Sequence, residues 1–388
     1  MGDIIFCCFY LLLFSVVVWK APLFNLPGLN KKYSLGAFYL KLLFAVVLWY
    51  IYAYHYKNRY SSDIFKYYDD GRLLFNTMHT SFSDFLKMLT GIGDSDAHIQ
   101  GYYHSMVSWV NAHDSTLYNN SHFLIRLNAL FMFFSFGHYG VHVIFMCFIS
   151  LAGLAYLYKA FYTYLSNVPK MLFAAVFLFP SVLLWGSGIL KEGLVLFALG
   201  ITIYYGLSVI SSQVKKTILF IIGVVLLFEL KAYVLICLIP GFIAEFIISK
   251  VSMAKKHSVI TYMLVLVFYA GAGLSLHSVS ENIDPLRMLS DKQIDFMRTA
   301  KGGIYLIPLK DSTESVYINV EDSVYITPTN TYSDSLLRHA GIQYLTSASF
   351  CYNEQKSNRI APYRLAPGLP YDLIHFVILL FQYPGYFL

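Results

Sequence analysis

The sequence is poor in charge. Asp, Glu, Lys and Arg make up 13% of its 388 residues, against about a quarter in ordinary soluble domains. Hydrophobic residues make up 57%, and several apolar stretches reach the about 20 residues that cross a hydrocarbon core. A water-soluble fold cannot cover that much apolar surface. The composition therefore predicts an integral protein of the lipid bilayer.

Cysteine is also scarce, with five in the chain. Cys7, Cys8, Cys147 and Cys237 lie in apolar stretches, and Cys351 stands alone in a polar segment. Neither a disulfide framework nor a zinc-finger spacing is present.

The formal net charge is +6, but the basic residues form short clusters between apolar stretches rather than one long basic face. Such clusters are topology signals of membrane proteins. The charge pattern therefore does not indicate nucleic acid as a partner.

The apolar runs predict an all-α polytopic integral membrane protein with about nine transmembrane helices. The first run follows Asp3 rather than a basic segment and lacks a small-residue cleavage site, so it is interpreted as a retained helix and not a signal peptide. The predicted spans are 3–19, 36–55, 139–158, 170–187, 193–212, 217–228, 232–249, 258–277 and 371–388.

Charge bias sets the predicted topology. With the amino terminus outside and a turn at Glu229–Lys231, every cytoplasmic connection is basic, as the positive-inside rule requires. A single helix over 217–249 would move the last basic cluster outside, so the hairpin is preferred. The lysines of these connections are Lys20, Lys31, Lys32, Lys159, Lys170, Lys215, Lys216, Lys250, Lys255 and Lys256.

This topology predicts a transmembrane bundle over 1–277, with an outer loop at 56–138 that contains interfacial helices such as Phe82–Leu89. Residues 278–370 are predicted to form a small outer cap, in which alternation at 303–308 and 315–326 indicates strands. The last span, 371–388, ends inside an apolar stretch, so a carboxy-terminal continuation is expected.

The first chemical motif runs from Asp63 to Arg72. In a helix, Asp63, Tyr67 and Asp70 share one face because of their spacings of four and three. We assign Asp63 and Asp70 as candidate catalytic carboxylates that act as a general base, with Tyr67, Asp69 and Arg72 as candidate substrate-binding residues. The alternative is a solvated helix start capped by Asp63.

The second motif runs from Pro180 to Gly193 and brings Lys191 and Glu192 into a turn at the membrane. Ionisable groups are expensive at this depth, and Lys191 could bind a lipid-linked phosphate with help from a helix start. Trp185, Lys191 and Glu192 are therefore candidate substrate-binding residues. Alternatively, Lys191 pairs with Glu192 and Trp185 is an interfacial anchor.

The third motif, Phe228–Tyr233, offers Lys231 as a second cation at the same surface. Two converging lysines suit a phosphate or pyrophosphate. The alternative is a plain turn in which Glu229 and Lys231 have no ligand.

No metal ligand is assigned. His98, His104 and His113 lie in one segment, but their spacing matches no ligand pattern. A divalent cation held by Asp63 and Asp70 stays open as an alternative, and no other cofactor is indicated.

The segment Asp63…Tyr67…Asp70-Gly71, followed by the turn Pro180…Trp185-Gly-Ser-Gly…Lys191-Glu192, resembles bacterial membrane glycosyltransferases of the GT-C superfamily over roughly residues 36–260. The resemblance implies an enzyme of the bacterial inner membrane that takes part in surface-polysaccharide assembly. Such an enzyme transfers a sugar from a polyprenyl-phosphate donor to a lipid-linked glycan or another acceptor, on the periplasmic or extracellular face. In that family an acidic residue of the first outer loop is the presumed base, which corresponds to Asp63, or else to Asp69 or Asp70. One departure is the additional helix that precedes this loop.

Three other functions remain open. A polysaccharide polymerase of the O-antigen type would use similar acids and cations on a larger donor. A transporter or flippase for lipid-linked glycans predicts ionisable residues at mid-bilayer and interrupted helices in matched halves. A non-catalytic assembly subunit predicts acidic positions that tolerate neutral substitution.

Overall fold

The computed structural model describes residues 2–55, 59, 62–94, 96–109, 121–207 and 214–275, and the backbone of five short strands between 304 and 351. The described residues form two compact units, one up to Ile236 and one from Cys237 onward. Most of the predicted cap lies outside the described residues, including all of residues 278–303. The predicted span 371–388 lies outside them as well.

Helices dominate the described part of the chain. They are α1 (Gly2–Lys20), α2 (Lys31–Tyr50), α3 (Asp63–Thr80), α4 (Phe82–Thr90), α5 (Ala97–His104), α6 (Ser121–Ser135), α7 (Tyr139–Tyr162), α8 (Pro169–Phe177), α9 (Pro180–Trp185), α10 (Lys191–Gly206), α11 (Val214–Lys250), α12 (Ser252–Lys256) and α13 (Ser258–Ser275). The π-helical residues Ile51–His55 continue α2.

Four of the described helices are long and apolar enough to cross a membrane: α1, α2 with its π-helical continuation, α7 and α11. The first three lie at the predicted spans 3–19, 36–55 and 139–158. These helices are compatible with an integral membrane protein, as predicted. The full number of spans stays a prediction.

The predicted span 170–187 is divided into α8 and α9. Proline lacks the backbone N–H that would continue α8 and is favoured in the first turn of a helix. The chain accordingly leaves helical geometry at Leu178 and Phe179 and restarts at Pro180. The result is an interrupted helix that leads through residues 186–190 to α10.

Helix α11 has non-helical backbone at Lys231, with φ −153° and ψ 80°. Its first part runs antiparallel to α10: a Cβ at Gly223 would lie 2.4 Å from Oγ1 of Thr202, and Lys231 meets Glu192 at the start of α10. The predicted turn at Glu229–Lys231 coincides with this single-residue break. The assignment of two separate spans stays a prediction.

Helix α7 is the centre of the first unit. It packs against α10 through two glycines, since a Cβ at Gly200 would lie 2.0 Å from the carbonyl oxygen of Gly153. Small residues permit such close backbone approach between membrane helices. A buried apolar core around Phe38, Leu151 and Phe177 joins α7 to α2 and α8.

One end of this bundle is rich in lysine, whereas the other end carries acidic and basic side chains together. At one end Lys159 donates to the carbonyl oxygen of Pro22 over 2.8 Å, close to the last residue of α1 and the first residues of α2 and α8. Lys20, Lys31, Lys32 and Lys170 lie on those helix ends. The other end carries the starts of α1, α3, α7 and α10, where His138 pairs with Asp3 and the Tyr139 hydroxyl donates to the Ile64 carbonyl over 3.3 Å. This division matches the pattern on which the predicted topology rests.

The second unit contains the end of α11, α12, α13 and the described strands. The backbone strands β1 (Ile304–Pro308), β2 (Ser315–Glu321) and β3 (Tyr325–Pro328) form an antiparallel sheet in that order. A separate pair is formed by β4 (Gln343–Tyr344) and β5 (Phe350–Cys351). The placement of these strands in an outer cap stays a prediction.

Candidate functional site

The start of α3 supplies the first part of the site. Asp63 Oδ1 lies 2.6 Å from Nζ of Lys66, one turn further along. The buried ring of Tyr67 has the Lys66 amine 5.8 Å and the Lys191 amine 5.2 Å from its centroid. Asp63 also lies within electrostatic range of Lys191. The predicted acid therefore influences the charge of the first predicted amine, and the amines of Lys66 and Lys191 both lie near the Tyr67 ring.

The start of α6 joins the same place. Nζ of Lys191 donates to Oγ of Ser121 over 3.0 Å, and Ser121 also hydrogen-bonds with the side chain of Tyr67. Asp63, Ser121 and Lys191 are the first residues of α3, α6 and α10. Because each helix start carries partial positive charge and unpaired N–H groups, three such ends favour an anion here.

Lys231 completes the site from α11. Its Nζ lies 3.1 Å from Oε1 of Glu192, and it contributes to the electrostatic environment of Lys191. The antiparallel packing of α10 and α11 produces this contact. The residues thus assembled are named the Lys191 cluster: Asp63, Lys66, Tyr67, Ser121, Lys191, Glu192 and Lys231.

Burial governs the electrostatics of the Lys191 cluster. It lowers the pKa of Lys191 to about 8, and the charge of Asp63 opposes this shift. Burial also raises the pKa of Tyr67 well above its ordinary value. At pH 7 Lys191 is therefore mostly a cation and Tyr67 a neutral phenol. Three lysines face two carboxylates, which leaves the cluster with a positive formal charge.

Asp70 is held apart from these contacts. Its side chain is buried and accepts hydrogen bonds from the backbone N–H groups of Val107, over 3.0 Å, and Ser108, over 2.7 Å. Burial raises the pKa of Asp70 to about 6 despite these two donors. These contacts are those of a carboxylate that fixes the 106–109 segment. The position of Asp70 on α3 therefore fits a structural role as well as the predicted catalytic one.

We expect Asp70→Ala to lower the free energy of unfolding by about 2–4 kcal/mol, because two buried N–H groups lose their acceptor. Asp70→Asn keeps an acceptor oxygen for one of them and should lose less. Thermal unfolding of the detergent-solubilised variants measures both. The catalytic assignment of Asp70 stays a prediction, and it would be supported if Asp70→Asn lost sugar transfer as severely as Asp63→Asn at an unchanged unfolding temperature.

Asp69 and Arg72 have other surroundings. Asp69 forms a two-pronged ion pair with Arg59, at 2.7 and 2.8 Å, and the Arg59 guanidinium also lies 4.7 Å from the ring centroid of Phe65. Arg72 is exposed on α3. No described contact joins Asp69 or Arg72 to the Lys191 cluster, and their assignment to substrate binding stays a prediction.

Trp185 lies in apolar surroundings next to the turn that leads to the Lys191 cluster. It is half-buried and packs on the apolar cluster that includes Leu48, Ile64 and Leu190. Gly188, which follows in the turn, has φ +91°, a conformation that glycine adopts without strain. The geometry places Trp185 in the support of the turn that leads to Lys191.

Two residues of the Lys191 cluster, Lys66 and Ser121, were not predicted from the sequence. The spacing of three from Asp63 on one helix could have indicated Lys66. Ser121 has no local signal, since its position depends on the packing of α6 against α3. His122 follows it, stacks on Trp109 with centroids 3.9 Å apart, and has its pKa lowered by burial.

The metal alternative was placed on Asp63 and Asp70. Among the described residues, no group of three His, Cys, Asp or Glu side chains could hold a metal ion. His98 pairs with Asp84, whereas the side chain of His104 and all of His113 lie outside the described residues.

Comparison of the chain with known protein families, curated proteins and solved structures gave no match.

Proposed function

We propose that this chain is a membrane glycosyltransferase of GT-C type that transfers a sugar from a polyprenyl-phosphate donor at the Lys191 cluster. The observation that carries the proposal is that the Asp63 carboxylate lies within electrostatic range of the Lys191 amine, and that Lys231, which pairs with Glu192, contributes to the electrostatic environment of the same amine. A base beside a positively charged anion site is what transfer from a phosphate-linked sugar requires. The resemblance of the two motifs to GT-C enzymes supports the same function.

In the proposed reaction the Asp63 carboxylate acts as the base and the two lysine amines stabilise the leaving group. Asp63 accepts the proton of the acceptor hydroxyl, and the acceptor oxygen forms a bond to the anomeric carbon of the sugar. The bond between that carbon and the phosphate oxygen breaks, and its electron pair leaves with the lipid phosphate. Lys191 and Lys231 stabilise the additional negative charge on this phosphate. Tyr67 and Ser121 hold the Lys191 amine in position.

The location of the cluster suits a lipid-linked donor. It lies at one end of the first unit, and the lysines of the basic end lie at the other. The positive-inside rule assigns the lysine-rich end to the cytoplasm, and therefore the cluster to the non-cytoplasmic side. We therefore place the reaction on the periplasmic or extracellular face of a bacterial inner membrane. The isoprenoid tail would remain in the bilayer while the phosphate reaches the cluster.

The purified chain in lipid nanodiscs tests this proposal with two donors, a polyprenyl-phosphate monosaccharide and a polyprenyl-pyrophosphate oligosaccharide, with a membrane-lipid extract as the acceptor source. We expect release of polyprenyl phosphate from the first donor, measured by mass spectrometry. Consumption of the second donor alone would identify a polymerase instead. If neither donor is consumed, the transferase proposal fails.

A further inference from the structure

A lysine is buried within the apolar body of the first unit. Lys41 lies in the middle of α2, and its side chain is 1% exposed. An ammonium group inside a membrane helix is costly and is retained where it has a specific partner. A methionine would fill similar space without that cost, because replacing a buried charge with an apolar side chain is often neutral or stabilising.

The partner of Lys41 is the end of α9. Its Nζ donates to the carbonyl oxygen of Val182 over 3.4 Å, while the Ser187 hydroxyl donates to the next carbonyl, that of Leu183, over 2.6 Å. The Val182 carbonyl also accepts the backbone N–H of Gly186 over 3.1 Å. Because carbonyls at the end of a helix carry partial negative charge, the Lys41 cation is stabilised there as a second partner of this carbonyl.

The absence of a side chain at Gly186 makes this contact possible. A Cβ there would lie 2.3 Å from the Val182 carbonyl oxygen and 3.1 Å from Nζ of Lys41. The Cys147 thiol lies within electrostatic range of the amine and within hydrogen-bonding reach of the Ser187 side chain and the Gly188 backbone. Lys41 therefore reaches the first residues of the turn between α9 and α10.

This turn ends at Lys191. Leu190 occupies the cap position of α10 in extended backbone, and its side chain makes no cap hydrogen bond. The first residue of α10 is thus positioned by the preceding turn and by its bond to Ser121.

We propose that Lys41 is a positioning residue for Lys191: its ammonium fixes the end of α9 and the 186–190 turn, and so holds the Lys191 amine in the cluster. This inference rests on the proposed function, because the amine that Lys41 positions is the one proposed to bind the lipid phosphate.

Amine labelling of the full chain in nanodiscs tests the inference. A short pulse of limiting acetic anhydride is followed by digestion and mass spectrometry of the peptide that contains Lys191, with Lys87 as internal reference. The pulse is given at about pH 11, where buried and exposed lysine amines are both largely neutral, so that labelling reports access to the amine. We expect Lys41→Met to raise acetylation of Lys191 at least about fivefold, because local opening exposes the amine, with Lys87 unchanged. Lys41→Arg, which keeps the cation, should restore protection.

The matched control is Lys159→Met. Lys159 also donates to a backbone carbonyl, that of Pro22, but at the basic end of the bundle. It should leave the labelling of Lys191 unchanged. Unchanged labelling in a folded Lys41→Met chain, or equal increases in the Met and Arg variants, would overturn the inference.

If Lys41→Met raises the acetylation of all lysines alike, its fold is disturbed, and Lys41→Gln is used in its place. Glutamine is neutral but keeps a hydrogen-bond donor. Loss of fold in both variants would assign Lys41 to the stability of the bundle and overturn the positioning role. Labelling is independent of sugar transfer. A chain that behaves as expected here but consumes neither lipid donor would refute the proposed function and retain the inference.

Discussion

Replacing Asp63 with Asn should reduce sugar transfer by about 10²–10⁴-fold, the usual contribution of a general base. The amide keeps the shape of the side chain but cannot accept the proton of the acceptor hydroxyl. The phosphate of the donor would still meet Lys191 and Lys231, so the loss should appear in kcat, with the KM for the donor nearly unchanged. Initial rates of polyprenyl-phosphate release measure both constants.

The matched control is Asp96→Asn. Asp96 pairs with Lys87 over 2.7 Å and its side chain is 50% exposed, closely similar to Asp63, which pairs with Lys66 over 2.6 Å and is 46% exposed. Exposed pairs of this kind contribute little to stability, so both variants should fold normally. Full transfer by Asp63→Asn would remove the base assignment, and equal losses in both variants would indicate a general effect of charge.

The helices that could be predicted from sequence are those set by a local property. α1, α2 and α7 each carry one long apolar run, and its length alone specifies a membrane-compatible helix. The charge bias of the connections also predicted the segments of Asp63, Lys191 and Lys231 at one end of the bundle, where Asp63 and Lys231 both contribute to the electrostatic environment of Lys191.

Other features depend on contacts that leave little trace in the sequence. Asp70 accepts hydrogen bonds from the N–H groups of Val107 and Ser108, and helix spacing on α3 cannot reveal these contacts. Ser121 reaches Lys191 only through tertiary packing. Two features had unused signals: Pro180 marked the break before α9, and Lys41 was an ionisable residue inside an apolar span.

Lys191 is expected to make transfer sensitive to alkaline pH. Its pKa is lowered to about 8, chiefly by burial, so the amine is protonated at pH 7 and loses its charge as the pH rises through 8. Since the cation is the form that stabilises the departing phosphate, the rate should fall about tenfold per pH unit above that value. The pH dependence of kcat/KM, which reports the groups of the free protein, measures this fall.

Two substitutions separate the charge of Lys191 from its shape. Lys191→Met should lower kcat by about 10²–10³-fold, the scale of a lost electrostatic donor. Lys191→Arg should keep substantial transfer and lose the alkaline fall, because the guanidinium stays protonated beyond pH 12. Lys159→Met, at the basic end of the bundle, serves as the control for loss of a lysine.

The pH profile of Lys191→Arg is the sharper of these measurements, because a variant that merely disturbed packing would lower the rate equally at every pH. Persistence of the fall near pH 8 in that variant would assign the titration to another group. Wild-type rates in Lys191→Met would remove the amine from the reaction and leave its contact with Ser121 as a brace between α6 and α10.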